Sequence, residues 1–396
     1  MSILSSASNL NSHSDEYWAN YREKNFPVAK KWSYFDTSAV SPLSDPAHQA
    51  ILSWLTEATH EGDTVWPQWA AKVEEIRGVA ASLVNAEQNE IAFVPSTTFG
   101  ISLVAEGLDW REGDNVVLPA GEFPSNLYPW MHLEKLGVEL RIVPTGKRGE
   151  VTPQQIGDAC DSRTRLVSSS WVGFASGYRI DPAQFAKVAH DHGALFFLDA
   201  IQGLGVFPLD VREANVDFFA ADGHKWLMGP EGAGLFYCRH DLLDQLRPRV
   251  VGWNSVQSSY DFSKVELRFK DSAGRFEAGT QNMSGILGMG ASLDLIRQTG
   301  VSYQQSPIAT RVLELTELLN LEMTKLGLDC VSNREAEHAS GIISFNPKDI
   351  SAPRLRTALL EQGVVTSVRN DKLRFSPHAY CNEDDVLKAA KILTEL

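Results

Sequence analysis

Short apolar runs alternate with amphipathic stretches along the chain from about residue 90 onwards. The runs are rich in Val, Ile, Leu and Phe, as buried strands are, and most of the stretches between them have helical periodicity. At 182–192, for example, Asp181 suits the N-cap and Pro182 suits the first helical position. Alternating strand and helix predicts an α/β fold with a mostly parallel sheet covered on both faces. The seven predicted strands are 90–94, 115–119, 139–144, 164–168, 194–199, 217–221 and 234–238.

The pattern changes after about residue 270, which divides the chain into a large domain at 31–270 and a smaller α+β domain at 271–396. Residues 1–30 are polar and aromatic, and we expect a partly helical arm that packs with the small domain. The acidic start of the last helix suits the helix dipole. The predicted elements of the small domain are a long helical region, a strand, a helix, a second strand and a last helix, at about 285–327, 341–345, 353–362, 372–376 and 382–396.

Composition narrows the possible partners and the compartment. The chain has 396 residues, with 36 Lys and Arg against 50 Asp and Glu, for a net charge of −14. This charge argues against nucleic acid or an anionic membrane as the main partner. No apolar stretch approaches the ~18 residues of a membrane span, and no basic segment precedes an apolar run as in a secretory signal. Four dispersed cysteines without a CxxC motif predict reduced thiols, a cytoplasmic protein and no metal site.

The densest cluster of candidate chemistry lies between residues 194 and 234. Asp199 ends a buried-type strand, where a carboxylate is costly unless it meets a cation or hydrogen-bond donors. Lys225 follows the next strand, beside His224, and an apolar setting would lower its pKa and make it a nucleophilic amine. Each residue alone also suits a purely structural role. Together they are what pyridoxal phosphate (PLP) requires: an amine for the Schiff base and a carboxylate that keeps the pyridine nitrogen protonated.

A phosphate needs its own cradle, and one segment could supply it. Ser96, Thr97 and Thr98 follow a predicted strand and open a predicted helix. Hydroxyls and free N–H groups at a helix N-terminus bind phosphate well. An ordinary helix cap explains the same segment, so the residues alone leave both interpretations open.

The sequence LDAIQGLG at 198–205, followed by ADGHKWLMGPEGAG at 221–234, resembles the class V aminotransferase family. This fold-type-I PLP group includes cysteine desulfurases, isopenicillin N epimerase-like proteins and kynureninases. The likeness extends from YFDTSAVSP at 34–42 to RFSPHAY at 374–380. It implies that Lys225 carries the cofactor, with Asp199 on the pyridine nitrogen, Gln202 on the ring hydroxyl and His224 near the cofactor.

The resemblance also assigns the remaining groups. It favours the phosphate role for 96–98, and it implies that Phe123 stacks on the cofactor ring. Thr280, in the segment FEAGT, is implied to reach the phosphate of the other subunit, so we expect a homodimer with shared active sites. Arg374 is implied to hold the α-carboxylate of an amino acid, since a guanidinium grips a carboxylate with two parallel bonds. Arg369 is the nearest competitor for that role.

The chain departs from cysteine desulfurases at several positions. They carry a nucleophilic cysteine on the loop before this arginine, whereas here 363–374 holds no cysteine; Cys381 follows the arginine and Cys330 lies well upstream. Persulfide chemistry of the usual kind is therefore disfavoured. Asp222 stands where desulfurases have a phosphate-binding Ser, and its role stays open. Trp171 and Phe174 replace a His and an Asn, which indicates a more apolar pocket wall.

These features predict a PLP-dependent enzyme that acts on a small amino acid or keto acid. Lys225 would remove the α-proton as general base, and Asp199 would stabilise the resulting charge on the ring. Transamination is our preferred reaction, because it needs no further special group. A C–S or C–C lyase or an epimerase is the alternative. The intact pair of Lys225 and Asp199 argues against a non-catalytic binding protein.

Overall fold

The computed structural model describes residues 13–396, so the first twelve residues of the predicted arm lie outside it. Within this range the strands are β1 (Ser33–Tyr34), β2 (Ile91–Val94), β3 (Asn115–Pro119), β4 (Glu139–Val143), β5 (Thr164–Ser170), β6 (Leu195–Asp199), β7 (Phe218–Asp222), β8 (Gly234–Cys238), β9 (Asp329–Cys330), β10 (Ile343–Asn346), β11 (Val364–Val365), β12 (Ser367–Arg369) and β13 (Lys372–Phe375). The α-helices are α1 (Asp15–Asn25), α2 (Asp45–His60), α3 (Trp66–Leu83), α4 (Thr97–Gly107), α5 (Tyr128–Met131), α6 (Pro153–Ala159), α7 (Pro182–Asp191), α8 (Met283–Gln298), α9 (Pro307–Lys325), α10 (Ala352–Glu361) and α11 (Glu383–Thr394).

A seven-stranded sheet forms the centre of the fold, with the strand order β2-β8-β7-β6-β5-β3-β4. β8 runs antiparallel to both of its neighbours, and the other pairs are parallel. This confirms the predicted mostly parallel sheet. Since β2, β3, β5, β6 and β7 all run the same way, their carboxyl ends meet at one edge, where sheets of this kind carry their chemistry.

Helices cover both faces of this sheet and bury them in two hydrophobic clusters. On one face α8 packs against α2 and α3. On the other face α4 lies so close to the sheet that a Cβ added to Gly100 would sit 2.6 Å from the Cβ of Ala220. This close approach fixes the N-terminus of α4 at the carboxyl edge of the sheet.

The C-terminal part of the chain has more strands than the sequence pattern predicts. A four-stranded antiparallel sheet has the order β12-β13-β10-β9, and β11 pairs in parallel with β1. The pattern predicted two strands here, close to β10 and β13; the others span two or three residues each, too few to show alternation. The predicted helical region at 285–327 is two helices, broken after α8 where Gly300 has a φ of +89°.

The described part of the predicted arm contacts the C-terminal segment. α1 is helical, and Arg22 on it forms an ion pair with Asp385 at 2.6 Å and donates to the Tyr380 carbonyl at 2.7 Å. Phe26 stacks on Tyr380 with ring centroids 4.3 Å apart. The division into domains at residues 30 and 270 stays a prediction. Within residues 13–396, no helix has the length and apolar character to cross a membrane.

Candidate active site

A cavity of about 420 Å³ lies at the carboxyl edge of the central sheet. Most of the residues that the sequence singled out line this one cavity, although they are far apart in the chain. Two of the predicted residues, Ser96 and Thr280, lie outside its lining. The predicted residues that line it are Thr97, Thr98, Phe123, Asp199, Gln202, His224, Lys225 and Arg374.

Lys225 follows the end of β7 and is partly buried in the cavity wall. Its Nζ lies 5.6 Å from the centroid of the Phe123 ring. Burial lowers the pKa of Lys225, and the nearby Arg374 and Arg369 lower it further, while Asp199 opposes the shift. A lowered pKa raises the fraction of neutral amine, the form that attacks an aldehyde or accepts a proton.

Asp199 ends β6 and is buried, with 3% of its surface exposed. Its Oδ1 accepts a hydrogen bond from the Ile201 N–H at 3.2 Å, but among residues 13–396 it forms no ion pair. Burial raises the pKa of Asp199, and the neighbouring Glu122 raises it further. A buried carboxylate that lacks a cation is costly, and a protonated ring nitrogen would supply one.

Gln202 is held beside the lysine segment by two hydrogen bonds. Its Nε2 donates to the Ser38 carbonyl at 3.0 Å, and its Oε1 accepts from Trp226 Nε1 at 2.8 Å. The amide keeps a second N–H for another acceptor. The second N–H of Gln202 is therefore available to a ring hydroxyl, and this contact stays a prediction.

Asp222, whose role the sequence left open, is turned towards its own chain. Its Oδ1 accepts from the Gly223 N–H at 3.0 Å and lies 3.2 Å from His224 Nδ1. The arrangement explains how an anion can stand where desulfurases have a neutral Ser.

The N-terminus of α4 presents hydroxyls to the cavity. Ser96 acts as the N-cap, since its Oγ accepts from the Phe99 N–H at 3.2 Å. Thr98 Oγ1 donates to Ser125 Oγ at 2.8 Å. The Thr97 hydroxyl is buried and finds no hydrogen-bond partner among residues 13–396. The Ser96 hydroxyl therefore serves as an ordinary helix cap, whereas the Thr97 hydroxyl is available to form a hydrogen bond with a ligand.

Arg374 is almost fully buried, with 1% of its surface exposed. It donates to Ser367 Oγ at 3.0 Å, to the Phe174 carbonyl at 2.6 Å and to Asp36 Oδ1 at 3.2 Å. Burial lowers the pKa of Arg374 to about 10 and Asp36 opposes the shift, so the side chain stays charged at neutral pH. Two of its five N–H groups are left for a ligand.

Asp36 is a partner of Arg374 that the sequence did not reveal. It lies far from Arg374 in the chain, and a bridge between Asp36 and Ser376 brings the two together. Asp36 stands in the segment 34–42 that carries part of the resemblance, but nothing in that segment signals a contact with Arg374. Its carboxylate orients Arg374 and offsets part of the cost of burying a guanidinium.

The two residues expected to form an apolar wall behave differently. Phe174 lines the cavity, and its ring meets that of Phe123 edge-on with centroids 5.2 Å apart. Trp171 instead points into the core, where it packs against Gly203 and Phe207. Phe174 therefore forms the apolar wall without Trp171.

No cysteine among residues 13–396 lines the cavity. Cys381 is buried, with its Sγ 3.1 Å from the Tyr34 carbonyl, and Cys330 is partly buried outside the cavity lining. In the stretch 363–374, β12 and β13 are joined by a tight turn of Asn370 and Asp371, both with positive φ. This turn directly precedes the strand of Arg374, in the stretch where the resemblance puts the nucleophile of cysteine desulfurases.

Thr280 is exposed and lines a second cavity of about 310 Å³ with Phe93 and Phe99. Its neighbour Glu277 is buried and pairs with Arg77, which anchors the segment. Within one chain Thr280 does not line the main cavity, so its contact with a cofactor phosphate stays a prediction that requires another subunit.

The residues present fit PLP. The unpartnered Thr97 hydroxyl and the N-terminus of α4 suit its phosphate, and the unpaired Asp199 suits its ring nitrogen. Lys225, with its lowered pKa, suits its aldehyde, and Phe123 lies beside it to face the ring. These sites belong to different elements, and one cavity brings them together.

Comparison with known proteins agrees with this geometry. The family model for aminotransferase class V matches residues 33–369. A probable cysteine desulfurase of Methanothermobacter thermautotrophicus is 34% identical over 328 residues, which cover 82% of this chain and 80% of the relative. The chain therefore belongs to the class V aminotransferase family, and its cofactor is PLP, as predicted.

Solved structures show the same fold. The apo cysteine desulfurase of Thermococcus onnurineus NA1 has a TM-score of 0.87 at 24% identity, covering 98% of this chain and 99% of that one. A lysine-to-alanine variant of C-DES, with glycine covalently linked to PLP, has a TM-score of 0.88 at 23% identity, covering 95% and 99%. Another C-DES structure is described as the cystine C–S lyase with its product, cysteine persulfide.

Proposed function

We propose that this PLP-dependent enzyme cleaves the C–S bond of a cysteine-type amino acid by α,β-elimination. The proposal rests on one observation: Lys225, Asp199 and Arg374 meet in one cavity that no cysteine of residues 13–396 lines. Relatives named cysteine desulfurases favour C–S chemistry over the transamination that the sequence alone suggested. Because no cysteine of residues 13–396 lines the cavity, no enzyme thiol is placed to accept the sulfur. The sulfur atom is therefore released as part of the substrate's leaving group.

Arg374 would bind and orient the substrate. Its two remaining N–H groups can grip the α-carboxylate, while Asp36, Ser367 and the Phe174 carbonyl hold the guanidinium still. Holding the carboxylate in place fixes the direction of the substrate Cα–H bond within the cavity. This orientation increases the rate of proton removal.

Lys225 would move the proton. Bound PLP supplies an electron sink that acidifies the substrate Cα–H. Lys225 Nζ, with its lowered pKa, accepts that proton. The Cβ–S bond then breaks and its electron pair leaves with sulfur, as a thiolate or persulfide anion. The remaining three-carbon enamine hydrolyses to pyruvate and ammonia.

Asp199 and the aromatic side chains would tune the site. Asp199 is buried at the end of β6, where its negative charge holds a proton on the ring nitrogen throughout the reaction. Phe123 and Phe174 would form an apolar wall on one side of the cavity, and Phe123, at 42% exposed, is left open to contact a ligand.

An assay on the purified holoenzyme tests this function. L-cystine, L-cysteine and S-substituted cysteines are incubated with the protein, and pyruvate, ammonia and released sulfur are measured. We expect pyruvate and ammonia in equal amounts, with no protein persulfide by mass spectrometry. A keto acid formed only with a keto-acid acceptor would replace the proposal with transamination, and a D-amino acid would replace it with epimerisation.

We further propose a homodimer with shared active sites, as the resemblance implies. Support comes from Thr280, which is exposed and lines a cavity together with Val250, an apolar side chain that is 52% exposed. Exposed apolar surface of this kind favours association. The cytoplasmic location stays a prediction.

A further inference from the structure

Trp226 directly follows Lys225 in the chain and is buried, with 1% of its surface exposed. It lies outside the lining of the main cavity, but its indole Nε1 donates a hydrogen bond to Gln202 Oε1 at 2.8 Å, and Gln202 lines that cavity. An indole N–H is only a donor, so this bond requires the oxygen of the amide. Trp226 therefore contacts the cavity through Gln202.

Two hydrogen bonds decide how the Gln202 amide is turned. The carbonyl of Ser38 is only an acceptor, and it accepts from the amide nitrogen at 3.0 Å, while Trp226 donates to the amide oxygen. If the amide nitrogen and oxygen were interchanged, two acceptors would meet at Ser38 and two donors would meet at Trp226. A single orientation of the amide is therefore favoured, and this orientation sets the direction of its second N–H.

The indole of Trp226 is held in place by the C-terminal part of the chain. A Cβ added to Gly341 would lie 2.4 Å from Trp226 Cη2, so only a glycine leaves room for the indole at that position. The His378 ring packs on the indole with centroids 5.8 Å apart, and His378 Nε2 lies 3.3 Å from the Trp226 carbonyl. These contacts keep the indole N–H directed at Gln202.

The hydrogen bond between Trp226 and Gln202 lies in the protein interior, since Gln202 is itself only 4% exposed. A buried amide oxygen that loses its donor is costly, because water cannot replace the missing partner. Without the indole N–H, the Gln202 side chain would therefore move towards another donor. Its second N–H would then leave its present direction.

We propose that Trp226 is a positioning residue for the cofactor: its indole N–H holds the Gln202 amide so that the second amide N–H is presented to the ring hydroxyl of PLP. The inference rests on the contact between Gln202 and this hydroxyl that the resemblance implies. It does not depend on the reaction that the enzyme catalyses, because the contact is made to the cofactor and not to the substrate.

The visible absorbance of the holoenzyme at different pH values tests the inference without turnover. The absorbance of PLP linked to Lys225 changes when the nitrogen of the link loses its proton, which leaves the negatively charged ring oxygen without that proton as a partner. A hydrogen-bond donor to this oxygen favours the deprotonated form. W226F lacks the indole N–H, so it should raise the midpoint pH of the absorbance change by about one unit.

Three further variants separate the loss of the N–H from the loss of packing. W226H places an imidazole nitrogen where the indole Nε1 stands, so it should restore part of the wild-type midpoint although it fills less space. Q202L removes the proposed donor directly and should raise the midpoint as W226F does. The double variant W226F/Q202L should have the same midpoint as Q202L, because Trp226 acts through Gln202.

W69F is the matched control. Trp69 is also buried, and its Nε1 donates to Glu57 Oε2 at 2.6 Å, with both residues outside the cavity lining. W69F should therefore lower the urea concentration at half unfolding, as W226F does, and leave the pH midpoint unchanged. The charged groups that line the cavity are the same in every variant: Asp199, Asp222, His224, Lys225, Arg369 and Arg374.

Four results would overturn the inference. The first is a W226F variant that keeps the wild-type midpoint, and the second is a W226H variant that shifts it as far as W226F does, which would make packing the cause. The third is a double variant whose shift is the sum of the single shifts, which would exclude an action through Gln202. The fourth is an unshifted Q202L variant, which would remove the contact on which the inference rests.

A variant at Gly341 keeps the inference testable if W226F does not fold. G341A retains the indole N–H, but its added Cβ would displace the indole, so the midpoint should again rise. An unchanged midpoint in G341A would contradict the inference as it would in W226F. None of these measurements uses a substrate, so a holoenzyme that fails to release pyruvate from cysteine-type amino acids would count against the proposed function only.

Discussion

Lys225 is the residue on which the cofactor assignment depends. Borohydride reduction should fix the cofactor to the wild-type chain through this amine, because its lowered pKa favours attack on the aldehyde. The K225A variant should show no added mass after reduction and denaturation. K187A is the control, since Lys187 is exposed on α7 and pairs with Asp191. An adduct that persists in K225A would place the link on another residue.

His378 is a buried imidazole that the mechanism does not use, and it predicts acid sensitivity. Its Nε2 lies 3.3 Å from the Trp226 carbonyl, and its Nδ1 accepts from the Ala379 N–H at 2.8 Å. One nitrogen must donate and the other must accept, so the ring fits in its neutral form. Burial lowers the pKa of His378 to about 4, from an ordinary value of 6.5.

The sign of the effect follows from proton binding. Between pH 6.5 and about 4 the unfolded chain binds a proton at His378 and the native chain does not, so acid favours unfolding. The free energy of unfolding should fall by about 3 kcal/mol over this range through His378 alone. This pH dependence of the free energy of unfolding is measured by urea unfolding at several pH values. The proteins compared are the wild type, H378Q and the control H60Q, in which the substituted histidine is exposed. Equal pH dependence in all three proteins would contradict the prediction.

At the level of single residues, the sequence revealed the groups that stand in motifs and missed those that act through distant contacts. The common location of Lys225, Asp199 and Thr97 could be predicted, because each ends or follows a strand whose carboxyl end lies at the same edge of the sheet. Asp36 could not be predicted, because its role depends on a pairing across the whole chain. For Ser96 both interpretations were open, and its Oγ accepts the capping hydrogen bond, so its contact with a phosphate stays a prediction.

Among the elements, the N-terminus of α4 allows a test in which PLP affinity and the stability of the cofactor-free protein are expected to change in opposite directions. The buried Thr97 hydroxyl has no partner in residues 13–396, so it costs stability until a ligand accepts its hydrogen bond. The T97V variant should stabilise the cofactor-free protein by about 1 kcal/mol and weaken PLP binding about tenfold. Denaturation of the apoprotein and titration with PLP measure the two effects.

A matched variant on α9 controls for the substitution itself. Thr316 is also buried, but its Oγ1 donates to the Leu313 carbonyl at 3.0 Å and accepts from Arg334 at 3.1 Å. T316V should therefore lower stability by about 1 kcal/mol and leave PLP affinity unchanged. If T97V and T316V behaved alike in both measurements, the phosphate role of Thr97 would be refuted.

The elements themselves were predictable to different degrees. Apart from the edge strand β4, which is largely exposed, the strands of the central sheet are runs of four to seven mostly buried residues, so hydrophobicity alone marks them. Strands such as β9 and β11 have two residues each and exist because a neighbouring strand pairs with them. The turn after β12 depends on Asn370 and Asp371 in the left-handed region, a signal that is visible only when both flanking strands are known.

For the whole molecule, the exposed apolar segment before Thr280 bears on assembly. Phe262 is 74% exposed, Val265 96% and Leu267 73%, which is costly for a chain alone in water. If this surface is the contact between subunits, the resemblance implies that Thr280 reaches the cofactor phosphate of the other chain. Formation of the dimer would then be required to complete the phosphate site.

The homodimer prediction can be tested by changing the surface and the site separately. Wild type should sediment at twice the chain mass of 43.7 kDa, and V265D/L267D at the chain mass with weakened PLP binding. T280V should keep the dimer mass and lose about tenfold in PLP affinity, because a single hydrogen bond to phosphate is removed. L321D is the control, since Leu321 is 51% exposed on α9, and it should change neither property. A wild-type monomer with full PLP affinity would show that one chain completes the site, and Thr280 would then have no part in it.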